Sequence, residues 1–332
     1  MILYYGIRPT GSNLHLGHAM CLFNMFDFIK ENISDIDTIY FLMAEIHAEI
    51  STLSQETILL NSILLKNKII ALLKTYCTFN SLNFDFIFSR IRFIFQNCNI
   101  GLYHRSLAYK YLTLENVNSL TTNPIFANSE NNSVAFLVYP ILQAFDVFLY
   151  CKDNMQMVVF VAGDQRANIN IMKDIATKIK FKNDISYNVY DNVIYDSKCQ
   201  VKMSKSLNNF IDFDNINDIT KYILSYITYP RPTISTPGHY ESCQFYNNIL
   251  NPLMKSLDVI DKFAKNMNRC TNGDIGCVEC KNAVLSQIIK FVTLYKKNQN
   301  EIFDITMINY DAIIPMYHRI IKQINVARSN VK

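Results

Sequence analysis

The chain has 332 residues and a mass of 38.5 kDa, with 32 basic against 28 acidic side chains and a net charge of +4. Half of its residues are hydrophobic and 18% are charged, which excludes disordered, low-complexity and collagen-like chains. The length predicts two domains, and the small positive charge permits a nucleic-acid partner without requiring one.

The chain begins with an apolar run rather than the basic start of a secretory signal. Residues 1–6 are typical of a buried strand that enters a turn, so we expect a cytoplasmic protein. The longest weakly charged stretch, residues 134–151, contains Pro140, Gln143 and Asp146, which a bilayer-spanning helix tolerates poorly. We therefore predict no membrane span.

Short apolar runs alternate with helix-like segments through the first half of the chain. The predicted strands are residues 2–5, 38–43, 84–88 and 157–162, and the predicted helices are residues 16–29, 55–75 and 166–179. This alternation favours an α/β fold with a Rossmann-like, doubly wound parallel sheet. Ligands bind such sheets at the carboxyl ends of the strands, where residues 11–17 and 163–165 supply polar groups.

The composition changes after about residue 188. Loops rich in Asn and Asp lead to a Pro-rich passage at residues 229–238. Helical patterns then cover residues 245–265, 281–295 and 310–331. We predict a first domain over residues 1–196, a loop over residues 197–207, and a helical domain over residues 208–332, whose last helix we expect to pack back on the first domain.

The first candidate site, His15-Leu16-Gly17-His18, follows the first strand and opens a helix. A helix N-terminus presents unpaired N–H groups, Gly17 lets a nucleotide approach the backbone, and the two imidazoles can donate to phosphate oxygens. Taken alone, the motif is also consistent with ordinary surface histidines. Its position after a strand favours a phosphate site.

The second candidate site is Lys202-Met203-Ser204-Lys205-Ser206. Two lysines and two serines can neutralise a triphosphate and stabilise the charge that moves onto a departing pyrophosphate. A solvated basic loop is the alternative interpretation. The order of the two motifs and the distance between them favour the phosphate clamp.

With both motifs in this order, the chain resembles class I aminoacyl-tRNA synthetases, whose hallmark elements are the HIGH and KMSKS motifs. Within that class it looks most like the tryptophanyl-tRNA synthetases. The segments that resemble that family are residues 6–11 (its opening loop), 44–48 (ADxHA), 120–124 (LTRNP), 139–146 (YPVLQAAD), 163–165 with 173–176 (EDQ and RDIA), 237–238 and 276–281.

Some features depart from that pattern. The loop before His15 is one residue longer than in most tryptophanyl enzymes, Glu45 stands where Asp is usual, and residues 142–146 and 164–166 look tyrosyl-like. Tyrosyl-tRNA synthetase is therefore the alternative. A small-molecule nucleotidyltransferase is disfavoured by the second motif and the helical domain, and a non-catalytic tRNA-binding paralogue is disfavoured by the intact motifs.

The resemblance implies that L-tryptophan reacts with ATP, accompanied by Mg²⁺, to give tryptophanyl-adenylate, which is then transferred to tRNA(Trp). It also implies a homodimer, a catalytic role for the first domain and an anticodon-binding role for the helical domain. The residues it implies are Arg8, Thr10, His15, His18, Lys202 and Lys205 for catalysis, Gly17, Met203, Ser204 and Ser206 for ATP, and Tyr4, Tyr139, Gln143, Asp146 and Gln165 for tryptophan.

Asp146 is the notable residue of the predicted tryptophan pocket. Tyr139, Gln143, Asp146 and Tyr150 fall on one face of a predicted helix. An unpaired buried carboxylate is costly, so Asp146 must find a partner. That partner is either an arginine or another helix end, or, as the resemblance implies, the indole N–H of tryptophan, with Tyr139 and Gln165 holding the amino group.

Four cysteines, Cys243, Cys270, Cys277 and Cys280, lie in the predicted helical domain. Thiolates at such spacing can hold an iron–sulfur cluster or zinc. Some tryptophanyl enzymes carry a C-x22-C-x6-C-x2-C set for a [4Fe-4S] cluster; the last two gaps here agree, and the first is 26 residues. We predict the cluster, with zinc or free thiols as alternatives.

Basic side chains surround these cysteines in the sequence and suit an RNA backbone. They are Lys262, Lys265, Arg269, Lys281 and Lys290. For any one of these residues, an ordinary solvated helix face is the alternative interpretation. As a group, they predict tRNA contacts.

Overall fold

The computed structural model describes residues 1–51, 53–96, 100–115, 134–191, 194–201, 210–233, 235–257, 260–308 and 310–330. Within these ranges, none of the helices combines the length and the apolar character that crossing a membrane requires.

The centre of the molecule is a parallel sheet that, over the described residues, has five strands in the order β3-β2-β1-β4-β5. The strands are β1 (Ile2–Ile7), β2 (Thr38–Met43), β3 (Ile91–Phe95), β4 (Met157–Ala162) and β5 (Ile185–Tyr190). The order reverses between β1 and β4, which is the arrangement of a doubly wound Rossmann-like sheet. The predicted fold class is confirmed.

In the described parts of the chain, helices cover both faces of the sheet and continue beyond it. They are α1 (Leu16–Asn32), α2 (Glu45–Ala48), α3 (Gln55–Phe79), α4 (Phe84–Phe88), α5 (Ile100–Leu112), α6 (Val134–Phe148), α7 (Arg166–Lys178), α8 (Ile216–Ser225), α9 (Asn251–Ser256), α10 (Ile260–Asn272), α11 (Cys277–Asn298) and α12 (Ile314–Ser329). A π-helical turn, Tyr246–Leu250, leads into α9.

Alternation along β1 divides the core into two clusters. Leu3 and Tyr5 belong to one cluster, and Ile2 and Tyr4 belong to the other, because successive side chains of a strand point to opposite faces. All four are buried. A central parallel strand covered by helices on both sides is apolar on both faces, which explains the continuous apolar run at the amino terminus.

The prediction of a strand at Phe84–Phe88 is wrong, since this segment forms the short helix α4. The side chain of Asn83 accepts a hydrogen bond from the backbone N–H of Phe86, which caps the first turn of the helix. The strand β3 follows three residues later. A short apolar run does not distinguish strand from helix by its pattern, and here the cap decides.

The last helix, α12, packs against α5 and the central sheet. Met316, Ile320 and Ile324 are buried in the cluster that contains Ile2 and Tyr4 of β1. Long helix α11 packs along α3, where the amide of Asn298 donates to Thr75 Oγ1 at 2.9 Å. The carboxyl-terminal part of the chain therefore contacts the sheet region at two places.

Candidate active site

The candidate site lies where the strand order reverses, at the carboxyl ends of neighbouring strands β1 and β4. The first signature loop follows β1, and the 3-10 turn Gly163–Gln165 follows β4. In an open parallel sheet, helices leave these two strands on opposite faces, so a crevice opens between the loops. Both loops carry polar residues, and the pairing of β1 with β4 makes the two loops neighbours.

His15 caps α1, and its ring packs on the ring of His18. The Nδ1 atom of His15 accepts from the backbone N–H of His18 at 3.2 Å, and the two ring centroids lie 3.6 Å apart. A Cβ atom on residue 17 would come within 3.1 Å of the His15 ring, which explains why a glycine stands there. The loop therefore holds both imidazoles together at a helix N-terminus, where anions bind.

The segment that follows the second motif lies against the first signature loop. The backbone N–H of Leu16 donates to Ile211 O, and that of Phe213 donates to Leu14 O, each at 2.9 Å. His15 and Asp212 form an antiparallel bridge. The second motif itself, Lys202-Met203-Ser204-Lys205-Ser206, lies outside the described residues, but its carboxyl-terminal neighbours are held next to the HIGH-like loop.

A polar network fixes this contact. Asn13 Nδ2 donates to Asp212 Oδ2 at 2.6 Å, and Lys68 Nζ of α3 donates to Asn13 Oδ1 at 3.1 Å. Lys68 also forms an ion pair with Asp214, which accepts from Gln299 Nε2 at 2.9 Å. Burial raises the pKa of Asp212, and the hydrogen bond from the Asp214 N–H opposes that rise. We call Asn13, Lys68, Asp212 and Asp214 the loop clamp.

Asp146 of α6 is almost fully buried and surrounded by donors. His47 Nε2 lies 2.6 Å from Oδ2, and His104 Nδ1 lies 2.5 Å from Oδ1. Gln96 Nε2 donates to Oδ1 at 2.8 Å. Burial would raise the pKa of Asp146, but the charge and the hydrogen bonds of the two imidazoles lower it to about 2. Asp146 is therefore an anion at neutral pH.

Tyr4 and Tyr139 belong to the same neighbourhood as Asp146. Burial raises the pKa of Tyr4, and the Asp146 carboxylate raises it further. Burial also raises the pKa of Tyr139, Arg8 opposes that rise, and Asp146 and Asp164 add to it. Arg8 and Asp146 are thus both close enough to Tyr139 to act on it electrostatically.

The amides of Gln143 and Gln165 meet beside Asn168. Gln143 Nε2 donates to Gln165 Oε1 at 3.4 Å, and Asn168 Nδ2 donates to Gln143 Oε1 at 2.7 Å and to Gln165 Oε1 at 2.8 Å. This triad joins α6 to the turn after β4. The structure therefore brings these two predicted tryptophan-binding residues together.

Four residues that sequence reasoning did not select take part in these contacts: His47, Gln96, His104 and Asn168. His47 lies in the segment that resembles ADxHA, and this resemblance could have identified it as a candidate site residue. His104 and Gln96 carried no such signal, because they lie 42 and 50 residues from Asp146 in the chain. Within the described residues, the partners of Asp146 are two histidines and a glutamine rather than the arginine of the alternative interpretation.

Cys243, Cys270, Cys277 and Cys280 line one cavity, at the start of α11 and the end of α10. Burial raises the pKa of Cys280 to about 12, and the other three thiols add to this rise. Arg231 Nη2 lies 3.4 Å from Cys277 Sγ. As placed, no group of three or more His, Cys, Asp or Glu side chains in the described parts of the chain could hold a metal ion.

The prediction that Lys281 belongs to an exposed basic patch is wrong. Its side chain is buried, and its ammonium donates to Leu224 O at 2.9 Å and Tyr226 O at 2.5 Å, around the carboxyl end of α8. A cation is stabilised there by the unpaired carbonyls. Lys265 and Lys290 are exposed, so these lysines remain available to a partner.

Comparison with known proteins defines the class. The chain has a Rossmann-like fold, and the family described as tRNA synthetases class I (W and Y) matches residues 1–293. The chain belongs to this family, in which W and Y stand for tryptophan and tyrosine.

Relatives and solved structures resemble the chain at low identity. The tryptophan–tRNA ligase of Thermotoga maritima is 27% identical over 207 residues, covering 56% of this chain and 58% of that protein. That of Fusobacterium nucleatum is 23% identical over 308 residues, covering 90% of this chain and 86% of that protein. The match to the Aquifex aeolicus tryptophan–tRNA ligase covers 44% of that protein, so the chain spans about half the length of two of these relatives.

Among solved structures, tryptophanyl-tRNA synthetase from Mycoplasma pneumoniae has a TM-score of 0.67 at 18% identity, covering 99% of this chain and 95% of that one. The Campylobacter jejuni enzyme complexed with ADP and tryptophan has a TM-score of 0.61 at 18% identity, covering 100% and 98%. These structures share the fold of the chain.

Proposed function

We propose that the chain activates L-tryptophan with ATP, forming tryptophanyl-adenylate and pyrophosphate, and transfers the amino acid to tRNA(Trp). The observation that carries this proposal is the position of the His15–His18 pair at the sheet crossover, with the buried anion Asp146 on the neighbouring helix α6. The names of the matched relatives and the tryptophan in the Campylobacter jejuni complex support the choice of amino acid.

In the proposed reaction, a carboxylate oxygen of tryptophan attacks the α-phosphorus of ATP in line, and pyrophosphate leaves. Such chemistry depends on positioning and charge neutralisation. Arg8, Thr10, His15 and His18 would hold the phosphates, with the backbone of Gly17 close to the nucleotide. The second-motif residues Lys202, Met203, Ser204, Lys205 and Ser206 would bind ATP from the other side, and Lys202 and Lys205 would neutralise the leaving pyrophosphate. Bound Mg²⁺ would accompany the ATP phosphates and screen their charge.

The amino acid would lie between β1 and α6. Asp146 would accept the indole N–H, Tyr4 and Tyr139 would contact the side chain and the amino group, and Gln143 and Gln165 would orient the ammonium. A phenylalanine side chain has no N–H to offer, so it would leave the buried carboxylate with an unused acceptor position, which disfavours that substrate.

The test is ATP–pyrophosphate exchange with tryptophan and tyrosine supplied separately. We expect exchange with tryptophan, and we expect Asp146→Ala to abolish it while ATP binding is retained. Exchange with tyrosine alone would move the chain to the tyrosyl branch of its family. Exchange with neither amino acid, from folded protein, would favour a non-catalytic tRNA-binding paralogue.

We also propose that residues 1–196 form the catalytic domain, residues 197–207 the KMSKS loop, and residues 208–332 an anticodon-binding domain that contacts tRNA through exposed basic residues such as Lys265 and Lys290. A cytoplasmic location follows from this role in translation.

A second copy of the chain is the proposed partner of an apolar stripe on α3. Leu59, Leu60, Ile63 and Leu64 are each 37–57% exposed and lie one helical turn apart in pairs. Contiguous exposed apolar residues of this kind are typical of protein interfaces. This stripe supports a homodimer.

We propose a [4Fe-4S] cluster for Cys243, Cys270, Cys277 and Cys280. The chemistry of the donor set fits, because four thiols line one cavity whose walls include Phe245 and Phe263, and a cubane spreads its ligands farther apart than a single ion does. A Cβ atom on residue 238 would lie 2.5 Å from Cys270 Sγ, so Gly238 makes room for that sulfur. When bound, the cluster would join four positions of the helical region covalently.

Anaerobic purification followed by visible absorption and iron and sulfide analysis tests the cluster. We expect a brown protein with four irons per chain, as the stoichiometry of the cluster requires, and loss of the colour in Cys277→Ser. Zinc in place of iron would select the alternative, and a colourless, metal-free protein would leave the cysteines as free thiols.

A further inference from the structure

Asp146 sits in a cage of three donors that come from separate elements. His47 lies on α2, Gln96 follows β3, and His104 lies on α5. All three are buried, and their distances to the carboxylate are 2.6, 2.8 and 2.5 Å respectively. An ionised carboxylate only accepts hydrogen bonds, so each of the facing nitrogens carries a hydrogen.

The outer contacts of the cage fix the direction of two donors. Gln96 Oε1 accepts from the backbone N–H of Ile46 at 3.1 Å, which turns the amide nitrogen of Gln96 toward Asp146. His104 Nε2 lies 2.9 Å from the hydroxyl of Tyr150. When His104 gives Nδ1–H to Asp146 and carries no hydrogen on Nε2, it accepts the Tyr150 O–H at Nε2, and this hydrogen bond holds the tautomer.

The cage leaves the two carboxylate oxygens unequal. A carboxylate has about four acceptor positions, two on each oxygen. His104 and Gln96 occupy both positions of Oδ1, whereas His47 occupies one position of Oδ2. Counting only donors from the described residues, one acceptor position on Oδ2 remains.

We propose that His104 and Gln96 are positioning residues for substrate recognition: they engage Oδ1 and leave Oδ2 to read a single N–H donor of the amino-acid side chain. This inference rests on the proposed function and names the residues that tune its specificity. Neither His104 nor Gln96 contacts the substrate in this account, because each acts through Asp146.

The remaining polar atom of the cage favours an N–H over a hydroxyl. His47 Nδ1 is buried and has no hydrogen-bond partner among the described residues, and the His47 ring packs edge-on against Tyr139 with 4.6 Å between the ring centroids. With Nε2–H given to Asp146, Nδ1 of a neutral ring is another acceptor. An indole N–H and a phenol O–H can each donate to one of these acceptors, but the phenol oxygen would then find no donor of its own at Oδ2 or at His47 Nδ1.

The experiment measures tryptophan binding through the fluorescence of the ligand. The chain contains no tryptophan, so indole-selective excitation reports the substrate alone. We expect His104→Leu to raise the Kd for tryptophan about 10- to 100-fold, because it removes a donor from a buried charge, while the Kd for ATP stays within about twofold. We expect His104→Asn, whose amide N–H reaches the position of Nδ1, to recover most of the affinity.

Two further variants separate positioning from loss of structure. His104→Gln places its amide N–H nearer the position of Nε2, so it should bind tryptophan as weakly as His104→Leu. Tyr76→Phe removes a partly buried hydrogen bond, from Tyr76 to Asp27 at 2.7 Å in the other core cluster. It should lower the melting temperature and leave the Kd for tryptophan unchanged. If His104→Leu does not fold, the comparison of His104→Asn with His104→Gln alone tests the positioning role of His104.

The outcomes distinguish this inference from the proposed function. Normal tryptophan binding by His104→Leu, or equal weakness of the Asn and Gln variants, would overturn the role of His104. Failure of the wild-type chain to bind tryptophan would overturn the proposed function. ¹⁵N-histidine NMR of the ligand-free chain tests the cage independently: we expect the Nδ1–H tautomer for His104, and the Nε2–H tautomer would overturn the cage whichever amino acid binds.

Discussion

At the scale of single residues, the site depends on buried polar groups whose hydrogen-bond partners come from neighbouring helices and strands. Asp146 is 2% exposed, and such a carboxylate is tolerated in the core only because three donors surround it. Glycine contributes in another way, because it lets two backbone segments approach closely, and this brings the donors within hydrogen-bond distance of Asp146.

Gly101 is the residue that lets α5 approach β3. A Cβ atom at this position would lie 2.2 Å from the backbone oxygen of Gln96. We expect Gly101→Ala to move the start of α5 away, to lower the free energy of unfolding by roughly 1–3 kcal/mol, and to weaken tryptophan binding, because His104 lies one turn further along α5. Urea denaturation and ligand fluorescence measure the two effects. Unchanged stability would show that α5 adjusts without cost.

Asp146 should stabilise the fold until the pH is strongly acidic. Burial raises its pKa, but His47 and His104 lower it to about 2, below the value of about 3.9 in an unfolded chain. A lowered folded-state pKa contributes stability that is present above the unfolded pKa and is lost as the pH falls through the folded one. We expect the stability difference between wild type and Asp146→Asn to shrink by roughly 1–2 kcal/mol between about pH 5 and pH 2. A constant difference in urea denaturation would contradict this.

At the scale of elements, helix α3 joins the first signature loop to the described residues that follow the second motif. The loop clamp joins Lys68 of α3 to Asn13 of the first loop and Asp214 of the segment after the second motif. The Lys68 side chain is 12% exposed, so the ion pair is partly shielded from water.

We expect Lys68→Met to lower the free energy of unfolding by roughly 1–3 kcal/mol, because Asp214 keeps its charge without its cation. We also expect a reduced kcat of pyrophosphate exchange, since the first signature loop and Asp214 lose the cation that joins them. The matched control is Lys74→Met on the same helix. Its ion pair with Glu301 is 30–39% exposed and should contribute less than about 1 kcal/mol. Equal effects of both variants would remove the clamp's special role.

At the scale of the whole molecule, α3 has two faces of different character. Its inner face packs on the core and on α11, while its first turns expose the apolar stripe formed by Leu59, Leu60, Ile63 and Leu64. One helix thereby connects the loop clamp to the surface proposed for a second copy of the chain.

The stripe predicts the oligomeric state. We expect wild-type protein to sediment as a dimer and the double variant Leu60→Glu, Ile63→Glu as a monomer, because two charges per chain would be buried without partners in the interface. Val326→Glu, at a 49% exposed position of α12, is the control and should leave the dimer intact. A wild-type monomer in analytical ultracentrifugation would contradict the proposed assembly.

The sequence alone determined the parallel α/β class, three of the five described strand positions in whole or part, and the loops that carry polar residues. These properties are local, because an apolar period shows which face of an element is buried and a motif shows which groups follow a strand. The exception among the predicted strands, Phe84–Phe88, was decided by the Asn83 cap. The residues proposed to bind phosphates could also be selected from the order of their motifs in the chain.

Only the tertiary structure decided the partners of those residues. His47, Gln96 and His104 reach Asp146 from 99, 50 and 42 residues away, and Lys68 reaches Asp214 from 146. Lys281, a surface cation by its sequence surroundings, is buried against the end of α8. Side-chain pairing between elements depends on how those elements pack in three dimensions, and the periodicity of one segment carries no information about which side chain of another will face it.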